Sequence, residues 1–391
     1  MSLATAPRPQ PETDPVRVMV VDDSVVARGL MARWIDEDPA LAVVGTHRTG
    51  KLAVEQISSM APDIVVLDIE MPEMDGLTAL PLLLKACPGV QIVMASTLTR
   101  RNAEISLKAL SLGATDYVPK PESNSGVSTS SEFRQELVAK VKALGTSAKR
   151  SPRRLSTAVP AKPALAASTQ RDVAAPVAKP AAPAGAVAAP LRRWSSAVPR
   201  VVTIGSSTGG PQALTKVLET VGPVAARVPI LITQHMPATF TAILAENLGK
   251  VAGLPSKEGS DGDVIKPGHI YVAPGGKHMI VRDGDGGPEI ALTDGPPVNF
   301  CKPAVDPLFD SIAQVYGPAV LAAVLTGMGH DGGAGALKIC EAGGSVIAQD
   351  EETSVVWGMP QAVVDHNACS AILPLDRVAT KMADILKGIR A

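Results

Sequence analysis

A chain of 391 residues exceeds what one hydrophobic core ordinarily organises, so two or three domains are expected. Apolar residues make up 46% of it, enough to fill buried sheets. The formal net charge of −1 gives no ground for a nucleic-acid partner bound through a general basic surface. No apolar run reaches the roughly 18 residues that a membrane span needs. Residues 1–15 are polar and Pro-rich, without a hydrophobic signal core. These features predict a soluble, cytoplasmic protein with no membrane insertion. Cys87, Cys301, Cys340 and Cys369 are scattered, with no CxxC pair and no metal-ligand spacing, and read as buried small hydrophobes in a reducing compartment.

From Val16 to about Leu144 strand-like and helix-like segments alternate. Arg17–Val21 is a short apolar run that stops at Asp22-Asp23, and an apolar-periodic stretch, Val25 to Ile35, follows. Leu41–Gly45, Asp63–Leu67, Val90–Ala95 and Thr115–Val118 are further strands; the last three end on Asp68, on Ser96 and at Pro119-Lys120-Pro121. Continuous apolar strands separated by helix-sized segments predict a parallel sheet covered on both faces, whose function collects at the strand carboxyl ends. Asp22, Asp23, Asp68, Ser96 and Lys120 all fall there. Three carboxylates so placed repel unless a divalent cation sits among them, and oxygen-only ligands suit Mg²⁺. A carboxylate beside that ion can take up an activated phosphoryl group, with Ser96 and Lys120 holding its oxygens.

From about Thr146 to Pro199 the text is Ala, Pro, Ser, Lys and Arg, with no aromatic before Trp194 and a single acid, Asp172. Such a segment cannot bury a core and reads as a disordered linker over residues 146–198.

Beyond it the alternation resumes, with Val201–Ile204, Pro229–Thr233, Ala319–Leu325 and Gly344–Ala348 as strands. Residues 255–300 are Gly- and Pro-rich, with Gly268–Pro274 as one more strand. A second α/β domain is expected, mostly parallel, carrying a β-hairpin excursion. Gly205-Ser206-Ser207-Thr208-Gly209 fits G-x-S-x-G, the strand-to-helix turn that exposes a serine hydroxyl. Alone the motif is weak, because a Gly-rich loop after a strand also cradles phosphates. His235 follows the next strand and Asp331 a third, so the three can converge as nucleophile, base and orienting acid. Their order, Ser…His…Asp, differs from that of the α/β-hydrolases.

Two resemblances follow from these residues. Val20–Ser24, Leu67–Gly76 and Lys120-Pro121 resemble the receiver domain of two-component response regulators. That likeness implies Asp68 as phospho-acceptor, Asp22 and Asp23 as Mg²⁺ ligands, Ser96 and Lys120 as phosphoryl contacts, and Tyr117 as an aromatic that swings on activation. The set GSSTGG, TQHMP, Asp294–Asn299 and TGMGHDG resembles the catalytic domain of the CheB methylesterase family. This second likeness implies hydrolysis of glutamyl methyl esters on methyl-accepting chemoreceptors, with glutamine deamidation as a second activity. It makes Ser207 the nucleophile, His235 the base and Asp331 its partner, with the Met328 amide and the loop at Thr208 as oxyanion donors and no cofactor at the esterase site. It also implies a CheA-type histidine kinase as phosphodonor and recruitment to chemoreceptor clusters. Together they predict two doubly wound, mostly parallel α/β domains, a CheY-like receiver at 16–145 and an esterase domain at 199–391. A non-enzymatic regulator built on the Gly-rich turn is the alternative reading. His330 is expected to be an exposed loop residue, and His47, His269, His278 and His366 to be structural.

Overall fold

The computed structural model describes residues 14–121, 130–150 and 191–389. Most of the expected linker and of the N-terminal tail lies outside them.

The first sheet is built from β1 (Val16–Val21), β2 (Leu41–His47), β3 (Ile64–Asp68), β4 (Gln91–Thr97) and β5 (Asp116–Lys120). All neighbours pair in parallel, in the order β2-β1-β3-β4-β5. The helices are α1 (Val25–Asp36), α2 (Gly50–Met60), α3 (Gly76–Ala86), α4 (Arg100–Ser111) and α5 (Ser131–Arg150). Short polar residues start the first four: the side chains of Ser24, Thr49, Asp75 and Thr99 each accept an N–H of the first turn. α5 runs past residue 145 because its buried stripe, Phe133, Leu137, Val141 and Leu144, seats it along the sheet. Phe133 meets Trp34 edge-on, ring centroids 6.0 Å apart.

The second sheet has seven strands, all parallel, in the order β14-β13-β12-β6-β7-β9-β8. They are β6 (Val201–Ser206), β7 (Ile230–Gln234), β8 (Ser256–Glu258), β9 (Ile270–Val272), β12 (Val320–Val324), β13 (Ser345–Gln349) and β14 (Ala371–Leu373). An antiparallel hairpin, β10 (His278–Gly284) with β11 (Gly287–Thr293), is the expected excursion. Helices α6 (Gly210–Val221), α7 (Ala238–Ala252), α8 (Val305–Tyr316), α9 (Gly333–Glu341), α10 (Met359–Asp365) and α11 (Leu375–Leu386) cover the faces. Every residue of β6, β7, β12 and β13 is buried, which is why these strands read as unbroken apolar runs. Residues 191–198, expected to belong to the linker, lie against this domain instead. Ser195 bonds to Ser345 and Pro318, Arg192 to Cys369 and Asn367, and Lys381 sits over the Trp194 ring.

The two domains meet along α4 and β5 of the first and α6 and α7 of the second. Tyr117 stacks on Phe240 with centroids 4.4 Å apart and planes 8° from parallel. Gln212 Nε2 donates to the carbonyls of Ala114 (2.8 Å) and Thr115 (3.3 Å), and Arg100 lies 3.7 Å from Glu246. Leu107, Leu110, Leu214 and Leu244 join the two rings in one continuous apolar cluster. Phe240 is fully buried. Phe240→Ala is therefore expected to cost about 3–5 kcal/mol, read as a lower denaturation midpoint for the second domain. An unchanged midpoint would contradict this packing.

Candidate functional site

β6 stands between β7 and β12, so the chain leaves the sheet in opposite directions on either side of it. Such a reversal opens a crevice beyond the strand carboxyl ends. Ser206 pairs with Gln234 across β6 and β7, and paired strands lie about 4.8 Å apart. Ser207 and His235, the next residue on each strand, leave the sheet side by side, and His235 N donates to Ser206 O at 3.2 Å. Two neighbouring serines of the motif separate here. Ser206 is fully buried with Oγ donating to Gln234 Oε1 at 2.7 Å, whereas Ser207 is half-buried and its Oγ bonds to no described residue. Gly327 is required beside it, because a Cβ there would lie 2.9 Å from Ser207 Cβ.

Asp331 lies in the loop between β12 and α9. His235 Nε2 is 2.8 Å from Asp331 Oδ2, which also accepts Val305 N at 2.5 Å. Oδ1 accepts Asn299 Nδ2 at 3.0 Å and Asp306 N at 3.1 Å. Burial alone would raise the Asp331 pKa, but the bonds from His235, Val305 and Asn299 hold it below the ordinary carboxylate value. Partial burial, and then the charge of Asp331 beside it, push Asp306 up. Its Oδ2 accepts the same Asn299 amide at 2.8 Å, and Oδ1 takes the amides of Gly332 and Gly335 at the start of α9.

The other ring nitrogen, His235 Nδ1, faces Cys301 Sγ at 3.3 Å. The expectation that all four cysteines are buried hydrophobes fails here: Cys87 and Cys369 are buried, Cys340 and Cys301 are partly exposed, and Cys301 touches the histidine. Burial lowers the His235 pKa, but contacts with Asp331 and Cys301 stabilise the imidazolium and push it up to about 9. Asn299, Cys301, Asp306 and Gln234 are site residues that the sequence reading missed. Gln234 and Asn299 carried a signal, as members of quoted motifs; Cys301 and Asp306 carried none.

Thr208 is buried and Met328 half-buried, in the loops after β6 and β12. Neither backbone N–H is bonded to a described residue, so both are free to donate. His330 is exposed. The other histidines fill structural places; His278, for instance, bonds Pro296 O and Ala304 N and so pins the loop that carries Asn299 and Cys301.

In the first domain β1 lies between β2 and β3, giving the same kind of reversal. Ligand oxygens of Asp22, Asp23 and Asp68 lie within 4.8 Å of one another, a set that can hold a divalent cation. Lys120 Nζ is 3.0 Å from Asp22 and 2.6 Å from Asp68. Burial pushes Asp68 up to about 6 despite the nearby ammonium, with Asp22 adding to the rise. Ser96 Oγ is buried and donates to Thr97 O. Tyr117 is buried in the domain interface, stacked on Phe240.

A receiver-type acidic cluster and a Ser/His/Asp constellation on separate parallel sheets define a two-component regulator joined to a hydrolase-like domain. The family model for CheB methylesterase matches residues 202–382, and that for the response regulator receiver domain matches residues 18–130. A Rhodopseudomonas palustris protein-glutamate methylesterase/protein-glutamine glutaminase is 51% identical, with all of both chains covered. One from Bradyrhizobium diazoefficiens is 52% identical, covering 97% of this chain and 96% of its own. The catalytic domain of Thermotoga maritima CheB methylesterase is 39% identical over 48% of this chain and 98% of its own, with a TM-score of 0.46. The chain belongs to the CheB methylesterase family.

A base must be neutral to accept a proton, so a raised His235 pKa moves the acid limb of activity to higher pH. Hydrolysis is expected to rise from pH 7 toward pH 9. Cys301→Ala removes one stabiliser of the imidazolium and should shift that limb to lower pH. An acid limb at the ordinary histidine value in both proteins would refute the assignment.

Proposed function

We propose that this chain hydrolyses glutamyl methyl esters on chemoreceptors, releasing methanol, and deamidates receptor glutamines, under control of phosphorylation at Asp68. The observation that carries the reading is Asp331: a buried carboxylate saturated by donors and bonded to His235, on the strand beside the free Ser207 hydroxyl.

Ser207 attacks the ester carbonyl while neutral His235 takes its proton at Nδ1, the nitrogen turned away from Asp331. Asp331 holds the proton on Nε2 and stabilises the imidazolium that forms. The free amides of Thr208 and Met328 receive the developing oxyanion, each worth about 3 kcal/mol in such sites. His235 returns the proton to methoxide, and water then cleaves the acyl-enzyme by the same steps reversed. With the receiver unphosphorylated, Nδ1 rests on Cys301 and must leave it before Ser207 can be deprotonated.

In the receiver, Asp68 accepts the phosphoryl group from a CheA-type histidine kinase, and Asp22, Asp23 and Asp68 would hold Mg²⁺. A bound Mg²⁺ supplies positive charge against the phosphoryl oxygens. Ser96 and Lys120 bind those oxygens, and Ser96 must give up its bond to Thr97 to do so. The segments on either side of this site, β4–α4 and β5, are those that meet α6 and α7. New charge at Asp68 therefore biases the interface that lies next to Ser207. We place the receiver at residues 16–150 and the esterase domain at 191–391, with the linker between them, acting in the cytoplasm at receptor clusters.

Methanol release from methylated receptor membranes tests this directly. It should rise when Mg²⁺ and a small phosphodonor are added, persist in Ser206→Ala, and fall by about 10³-fold or more in Ser207→Ala. Asp68→Asn should remove the stimulation alone. Equal loss in both serine variants, or stimulation surviving Asp68→Asn, would refute the roles given.

A further inference from the structure

Between the hairpin and α8 the chain makes a two-residue turn. Val298 N donates to Cys301 O at 3.1 Å and Cys301 N to Val298 O at 2.9 Å, with Asn299 and Phe300 between them. Both central residues have positive φ, 51° and 64°, the left-handed pair of a type I′ turn. Asn299 suits that conformation; a bulky aromatic does not, and glycine is the usual choice. Phe300 is nevertheless 99% exposed, so no packing among the described residues repays its strain. Among the described residues the next most exposed large hydrophobics are valines, Val198 at 74% and Val25 at 73%.

The turn is fixed at both ends to catalytic groups. Asn299 bridges Asp331 and Asp306, and Cys301 lies against His235 Nδ1. Consecutive Cα atoms are about 3.8 Å apart, so Phe300 stands one residue from the histidine's contact. Strained residues that the surroundings hold in place collect at ligand clamps. A glutamyl methyl ester is small and uncharged, so a protein substrate needs further surface beside the reacting carbonyl to be recognised.

We propose that Phe300 is a substrate-binding residue of the esterase, whose ring packs on an apolar side chain of the receptor next to the glutamyl ester. The inference rests on the methylesterase reading. Binding through this ring is separate from the chemistry at Ser207, so its loss weakens capture of the receptor and spares the chemical step.

The test is the steady-state kinetics of methanol release from methylated receptor membranes by the full-length protein activated with phosphodonor. Phe300→Asn and Phe300→Gly both favour the left-handed backbone and preserve the turn. Each is expected to raise KM about tenfold with kcat within about twofold, and Phe300→Tyr to restore KM. A fall in kcat at unchanged KM would overturn the proposal, showing that the residue only shapes the turn, and so would variants that match the parent. Absence of methanol release from the parent protein itself would sink the methylesterase reading, and with it this one.

Discussion

The carboxylate of Asp331 is the constraint on which the esterase site depends. A buried charge is costly unless its lone pairs are filled, and here four donors fill them. They come from the end of β7 and, far along the chain, from the turn after the hairpin and the first residues of α8. Each bond to a buried charge contributes about 1.5–3 kcal/mol. Loss of any one therefore disturbs the other segments, and the histidine's orientation is tied to the order of the turn. Asp306 extends the network by holding the amides at the start of α9, the helix that follows Asp331 itself.

Both domains solve the same problem with the same architecture. Each sheet reverses its winding beside its first strand, and the loops that leave there carry the chemistry. The difference lies in what the helix starts are used for. The first four receiver helices are closed by their own side-chain caps. In the esterase domain α6 and α9 begin after Gly209 and Gly332 in left-handed conformation, with no side-chain cap of their own. Beside Ser207, whose own amide donates to Thr326 O, the amide of Thr208 is bonded to no described residue. The Gln212 contacts place α6, which begins three residues after Ser207, directly under the receiver. A change at Asp68 has a short physical route to the nucleophile.

Much of this was legible in the sequence because fully buried parallel strands write themselves as unbroken apolar runs. The residue after each run is then at a strand end, which located Asp22, Asp68, Ser207 and His235 without knowledge of the packing. The likeness to the methylesterase family picked Ser207 over Ser206, and the structure adds the physical difference: Ser206 is buried and bonded to Gln234, Ser207 half-buried. Asn299, Cys301 and Asp306 were not recoverable in the same way. They lie in or just beyond a Gly- and Pro-rich stretch with no period to read, and they meet His235 and Asp331 across 25 to 66 residues of chain. An Asn-Phe pair also lacks the glycine that normally announces a type I′ turn. The stacking of Tyr117 on Phe240 was hidden for another reason: Tyr117 read as an aromatic that swings on activation, and nothing in either segment names the other.

Covalent capture of Ser207 by a fluorophosphonate, located by mass spectrometry and timed before and after phosphorylation of Asp68, tests the account most directly. One adduct is expected, at Ser207, forming several-fold faster in the phosphorylated protein. Capture at Ser206, or a rate indifferent to phosphorylation, would contradict it.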